Sequence, residues 1–170
     1  WRFVSLQGEN NSVKEPLSIT HPELAREAVG WDPSQYFAGS REKLKWRCDK
    51  GHEYETLVWY RTGRDKTGCP ICANRYVLSG FNDLQTIFPL LARELQDDNP
   101  KEVLAFSNKR LKWKCEKGHV WEAVLNSRKA GSGCPYCSNN KILEGYNDLA
   151  TTHPEVAAEA HGWDPTKISF

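Results

Sequence analysis

The sequence predicts small α+β repeats in tandem, each a two-stranded hairpin joined to its neighbour by short helices. Three observations carry this: a long internal repeat, strict apolar–charged alternation ahead of each Gly-His pair, and proline-led apolar segments between the copies. The repeat is direct. Leu44-Lys45-Trp46-Arg47-Cys48 with Gly51-His52 recurs as Leu111-Lys112-Trp113-Lys114-Cys115 with Gly118-His119, a shift of 67. Gly68-Cys69-Pro70-Ile71-Cys72 recurs as Gly133-Cys134-Pro135-Tyr136-Cys137, a shift of 65. The difference is an insertion near Gly63–Lys66, expected in a hairpin loop, where extra length is tolerated.

A second unit recurs between these. Phe81-Asn82-Asp83-Leu84 matches Tyr146-Asn147-Asp148-Leu149, and Pro22, Pro89 and Pro154 each lead an apolar segment. Gly30-Trp31-Asp32-Pro33 returns as Gly162-Trp163-Asp164-Pro165. The expected organisation is a flanking segment 1–16, a repeat 17–80 with its cysteine unit at 41–75, and a repeat 81–145 with its unit at 108–141. Residues 146–170 then open a third repeat that stops before its cysteines. The chain has no methionine, and it reads as a piece of a longer protein.

Each element follows from local signals. Prolines 22, 89 and 154 suit a first helical turn, where the missing amide costs nothing, and Asn82-Asp83 and Asn147-Asp148 suit N-caps. Residues 43–48 and 110–115 alternate, Leu and Trp on one face and Lys or Arg on the other, as half-buried strands do. Residues 53–58 and 120–125 read as return strands, and the Gly-His knuckle as the turn. Trp46 and Trp113 share the inward face with cysteine and read as core. Trp59, replaced by Asn126 in the second copy, is either a base-stacking residue or a local packing contact.

Composition narrows the class. With 170 residues, 39% hydrophobic, 26% charged and a mean hydropathy of −0.67, the chain has no run approaching the roughly 18 apolar residues of a spanning helix. No membrane partner is expected, and the expected compartment is the cytoplasm. Thiols are kept reduced there, so six cysteines point to metal or redox chemistry rather than disulfides.

Spacing decides between these. Cys48, His52, Cys69 and Cys72 form C-x3-H-x16-C-x2-C, and Cys115, His119, Cys134 and Cys137 form C-x3-H-x14-C-x2-C. A redox or disulfide reading of the Cys-x-x-Cys pairs leaves Cys48, Cys115 and the matched histidines unexplained. Two structural zinc ions, each with a Cys3His set, use all six cysteines. His21 and His153 correspond to Phe88, and His161 to Val29, so these histidines fail the internal comparison. Four protein ligands leave no open position for a water, and the sequence carries no nucleophile elbow, phosphate loop or carboxylate dyad. The expectation is a stretch of chain that is not itself an enzyme, any catalytic domain lying outside it.

The order Asn-Asp-Leu, His-Pro-Glu, Lys-Trp-Arg-Cys with Gly-His, then Gly-Cys-Pro-x-Cys resembles a bacterial repeat family described as probable zinc-ribbon or treble-clef zinc finger domains. The resemblance covers nearly all of the chain after about residue 17. It implies tandem treble-clef-like fingers with the eight zinc ligands above. A treble clef, the expected form, places Cys72 and Cys137 at the start of a helix; a zinc ribbon places them on a second knuckle. Association of the family with nuclease-like domains implies nucleic acid.

Charge is segregated beneath a net +1. Residues 41–75 carry nine Lys or Arg against five acids, residues 108–141 eight against two, and the remainder six against fifteen. Period 2 sets Lys43, Lys45 and Arg47 on one strand face, and Arg110, Lys112 and Lys114 on the other copy's face. Arg61, Lys117, Arg128 and Lys129 are expected to extend these strips. Recurrent basic strips on zinc modules predict nucleic-acid binding, DNA rather than RNA, without sequence-specific base reading. The alternative is a protein-interaction scaffold that binds its partner through the acidic helical connectors.

Overall fold

The computed structural model describes residues 14–169; positions 1–13 of the expected flanking segment, and Phe170, lie outside them. The described residues form two compact units that divide between Arg75 and Tyr76. Each contains an antiparallel hairpin of five-residue strands. In the first unit β1 (Lys43–Arg47) pairs with β2 (Glu53–Leu57), Trp46 opposite Tyr54. In the second β3 (Arg110–Lys114) pairs with β4 (Val120–Val124), Trp113 opposite Trp121.

The connectors are split helices. In the first unit α1 (Leu17–Thr20) and α2 (Pro22–Ala25) flank His21, which sits at φ −141°, ψ 64°. A proline disfavours helical geometry in the residue before it, so each Pro starts a new turn rather than extending the old one. The second unit repeats this in α4 (Leu84–Ile87) and α5 (Pro89–Ala92), and again in α7 (Leu149–Thr152) and α8 (Pro154–Ala157). Asp83 and Asp148 cap α4 and α7 by accepting from the amides of Thr86 and Thr151, both at 2.9 Å. Each also accepts from a glycine amide, Gly80 or Gly145, at 2.6 Å. These bonds hold both carboxyls below the usual range against the opposing effect of burial.

Asn82 and Asn147, read as caps, do different work. Asn147 accepts from the Leu143 amide at 2.7 Å and donates to the carbonyls of Tyr136 and Lys141, tying the opening of the third repeat to the finger before it.

After α2 and α5 the chain runs along the first strand of its hairpin. Arg47 donates its amide to the Glu27 carbonyl and Val29 its amide to the Lys45 carbonyl, and Lys114/Glu94 and Gln96/Lys112 repeat both bonds. Trp46 and Trp113 are fully buried beneath this layer, their indole N–H groups bonded to the Thr56 and Ala123 carbonyls. Leu84, Val103, Leu111 and Leu125 complete the second core around Trp113.

The return strands end earlier than expected. Residues 58 and 125 begin helices, α3 (Val58–Thr62) and α6 (Leu125–Lys129). The chain ahead of each hairpin supplies acceptors for the first helical amides: Val58 bonds to the Glu42 carbonyl, Trp59 to the Ser40 carbonyl, and Leu125 to the Lys109 carbonyl. The two-residue insertion therefore lies in a helix-to-knuckle loop, not a hairpin loop.

Candidate metal centres and the surfaces around them

The first knuckle of each site is the hairpin turn itself. Cys48 bonds its amide to the His52 carbonyl at 3.1 Å, and Gly51 bonds back to the Cys48 carbonyl at 2.8 Å with φ +80°. Cys115, Gly118 and His119 reproduce this, Gly118 at φ +87°. Only glycine takes that conformation without strain, which explains Gly-His beside each cysteine.

The second knuckle follows the loop after α3 or α6. Ala73 bonds to the Cys69 carbonyl and Ser138 to the Cys134 carbonyl, one helical turn each. Asn74 (φ 53°) and Asn139 (φ 56°) then enter the left-handed region and end it. No helix starts at Cys72 or Cys137 as expected: each lies inside a single turn that begins at Cys69 or Cys134 and ends at the following asparagine.

The donor atoms of Cys48, His52, Cys69 and Cys72 lie within 4.8 Å of one another, as do those of Cys115, His119, Cys134 and Cys137. Zinc at about 2.3 Å from sulfur and about 2.0–2.1 Å from imidazole nitrogen sets tetrahedral edges of about 3.8 Å between sulfurs and about 3.5 Å from sulfur to nitrogen. Cys48 and Cys72 Sγ are 3.9 Å apart, and His52 Nδ1 is 3.2 and 3.8 Å from Cys72 and Cys69. In the second site the corresponding separations are 3.9, 3.3 and 3.6 Å. Both sets are arranged to hold zinc through Nδ1 of histidine and three thiolates.

Without metal, burial first and then the neighbouring Cys69 and Cys48 push the Cys72 thiol up to about 11. Zinc binding must expel such protons. Around the second site the Tyr146 ring packs on His119 with centroids 4.1 Å apart, and its hydroxyl approaches Cys137 Sγ at 4.0 Å. Lys117 donates to that hydroxyl at 2.9 Å, so this cation serves the metal site's surroundings.

Two cations assigned to the basic strips lie elsewhere. Arg61 is only 6% exposed and Arg128 only 8%, so neither belongs to a strand-face surface. Arg61 bonds to Glu27 at 2.6 Å and to the Thr67 carbonyl at 2.9 Å, with its guanidinium over Trp46 and Tyr54. Arg128 does the same with Glu94, the Ser132 carbonyl, Trp113 and Trp121. Each arginine links connector, aromatic core and the loop entering the second knuckle. The signal was present: Glu27 and Arg61 are separated as Glu94 and Arg128 are, while residues 59, 60 and 62 differ from 126, 127 and 129.

The strand faces are as expected, with their charge partly answered. Lys43, Lys45 and Arg47 project outward but meet carboxylates: Lys43 bonds Glu55 at 3.1 Å, Lys45 bonds Glu53 at 2.6 Å, and Arg47 also pairs with Glu53. Hydrogen bonds from Lys45 and then Arg47 hold Glu53 down to about 2. On β3, Lys112 meets Asp97 at 2.9 Å, whereas Arg110 and Lys114 meet no carboxylate among the described residues. Lys129 bonds Asn126 and lies over the Phe106 and Phe88 rings at 4.8 and 5.6 Å.

No helix among the described residues is long and apolar enough to cross a membrane. No curated protein matches the chain closely enough to lend it a function. A family model described as a probable treble clef zinc finger domain matches twice, over residues 24–75 and 91–140, more than half of the sequence. Those spans contain the two knuckle pairs, their hairpins and the Arg–Glu links, so the chain belongs to this treble-clef zinc finger family, with two fingers in tandem.

Proposed function

We propose that this is a non-enzymatic tandem zinc-finger module that binds nucleic acid, DNA rather than RNA, through the outer faces of its hairpins. The observation that carries the reading is the cation row on each hairpin, with Arg110 and Lys114 meeting no carboxylate among the described residues. A two-stranded ribbon fits the major groove of B-form DNA, and the deep, narrow major groove of A-form RNA excludes it. The pairs on β1 are solvent-exposed, where ion pairs contribute little, so a phosphate displaces those glutamates at little cost. The saturated ligand sets support a structural rather than catalytic role for the metal.

Anisotropy titrations of zinc-loaded protein with duplex DNA over about 50–200 mM salt test this. Binding is expected to weaken steeply with salt. The Arg110→Glu/Lys114→Glu variant is expected to lose affinity at least tenfold, and its salt slope is expected to fall by about 0.9 for each phosphate no longer neutralised. Lys43→Glu/Lys45→Glu is expected to lose less, because Glu53 and Glu55 already offset those cations. Absence of binding at low salt by folded, metalated protein would sink the reading.

One observation favours a second reading, a protein-docking surface on the second repeat. An apolar groove of about 540 Å³ lies between α5 and α6, walled by Phe88 and Leu91, with Leu90 73% exposed at its edge and Lys129 above it. The other connectors carry Thr20, His21 and Glu23, or Thr152, His153 and Glu155, where this one carries Ile87, Phe88 and Leu90. The groove fits a partner segment with an apolar anchor beside an acid. A peptide pairing Leu or Phe with Glu is expected to shift amide resonances of residues 87–91, and Leu90→Glu to abolish the shift. Unmoved resonances at millimolar peptide would remove this reading.

A further inference from the structure

The first unit displays an aromatic pair that the second unit's copy of the fold lacks. Helix α3 turns Val58 and Arg61 inward, three residues apart, and thereby sets Trp59 and Tyr60 outward, 41% and 45% exposed. Their rings stack on each other, centroids 4.3 Å apart and planes 27° apart. In the second unit α6 keeps the inward pair as Leu125 and Arg128 but carries Asn126 and Ser127 outside. The same fold therefore forms without the aromatics.

The adjoining loop differs in the same way. The first unit's is longer by two residues and carries Arg64, Asp65 and Lys66, all exposed, where the second has only Ala130, Gly131 and Ser132 before its knuckle glycine. This loop is clamped against the aromatic helix. Gly63 bonds to the Trp59 carbonyl at 2.8 Å, and Thr67 bonds to the Tyr60 carbonyl through its amide and its hydroxyl at 2.9 and 3.0 Å. A Cβ at Gly63 would stand 2.7 Å from the Trp59 carbonyl oxygen, so the close return requires glycine. Arg64 and Lys66 meet no carboxylate in an ion pair among the described residues.

We infer that the stacked Trp59–Tyr60 pair with the Arg64/Lys66 loop is a binding site for an unpaired nucleobase and its flanking phosphates. An aromatic face with cations beside it fits a base carrying its backbone charge, and the bases of a duplex have no free face to offer. The inference deepens the DNA reading above and rests on it. It names the substrate class as DNA in which a duplex adjoins a single-stranded stretch: the hairpins hold the backbone and the aromatic pair takes a base beyond the duplex end.

The test compares a blunt duplex with the same duplex bearing a single-stranded tail of about eight nucleotides, at one salt concentration. Wild-type protein is expected to prefer the tailed DNA, and Trp59→Ala to reduce that preference by about 5- to 150-fold, the range for losing one base–aromatic stack. Trp59→Phe is expected to retain most of it. Indole emission lost on adding tailed DNA to wild type should be missing from the Trp59→Phe difference spectrum. Zinc content and circular dichroism confirm that each variant is folded. Equal affinity for both DNAs, or a preference unchanged in Trp59→Ala, overturns this inference and leaves duplex binding standing. No binding to either DNA overturns both readings.

Discussion

Stripping zinc with a chelator is expected to unfold both fingers reversibly, with loss of the near-ultraviolet circular dichroism of Trp46 and Trp113. Each hairpin has strands of five residues, and isolated two-stranded hairpins are at best marginal in water. The cores beneath them are small, Trp46 with Tyr54 in the first and Trp113 with Trp121 in the second, with a few aliphatic neighbours. Metal binding at structural Cys/His sites contributes about 10–16 kcal/mol of apparent free energy, comparable with or larger than the whole stability of a typical domain, about 5–15 kcal/mol. No disulfide joins the two knuckles of either site, so the metal is their cross-link. Cys69→Ser is expected to unfold the first finger and Cys134→Ser the second, seen as loss of dispersed indole resonances from the affected unit only. A native spectrum after verified zinc removal would show that the aromatic cores suffice and would refute this account.

The metal sites were legible because their determinants are local and repeated. Ligand identity, knuckle spacing and the glycine beside each histidine depend on a few bonds of backbone, and two copies expose them against a changing background. Strand faces were legible for the same reason, since alternation fixes which side Lys45 and Trp46 occupy. What the sequence did not reveal depends on interactions distant along the chain. Helix α3 begins where Ser40 and Glu42 offer carbonyls, and nothing in residues 58–62 alone says that such acceptors are there. Arg61 and Arg128 read as surface cations because an arginine is usually solvated, and only the fold brings Glu27 and Glu94 to them. After each Cys-x-x-Cys the chain makes one turn and no helix, because Asn74 and Asn139 enter the left-handed region and stop it.

The buried arginines lead to the second large effect. Glu94→Ala is expected to destabilise the second unit by about 2–4 kcal/mol and to speed zinc loss from a site whose ligands it never touches. Removing one partner of a buried ion pair leaves the other charge uncompensated, at about 3–5 kcal/mol when both are fully buried. The Glu94 side chain is 35% exposed, so water recovers part of that cost for Arg128 and the estimate sits lower. Arg128 Nε already lacks a hydrogen-bond partner, so losing Glu94 adds to an unmet need for acceptors. The same guanidinium holds the Ser132 carbonyl, two residues before Cys134, so a displaced arginine loosens the loop that delivers that ligand. Arg128→Met, which keeps an apolar stem against Trp113 and Trp121 and removes the charge, is expected to cost less stability than Glu94→Ala. It should still accelerate transfer of zinc to a colorimetric chelator, because the bond to Ser132 is gone. Urea midpoints and chelator transfer rates separate the two contributions. A Glu94→Ala midpoint within about 0.5 kcal/mol of wild type, or transfer rates unchanged in both variants, would show that the arginine merely fills space over the tryptophans.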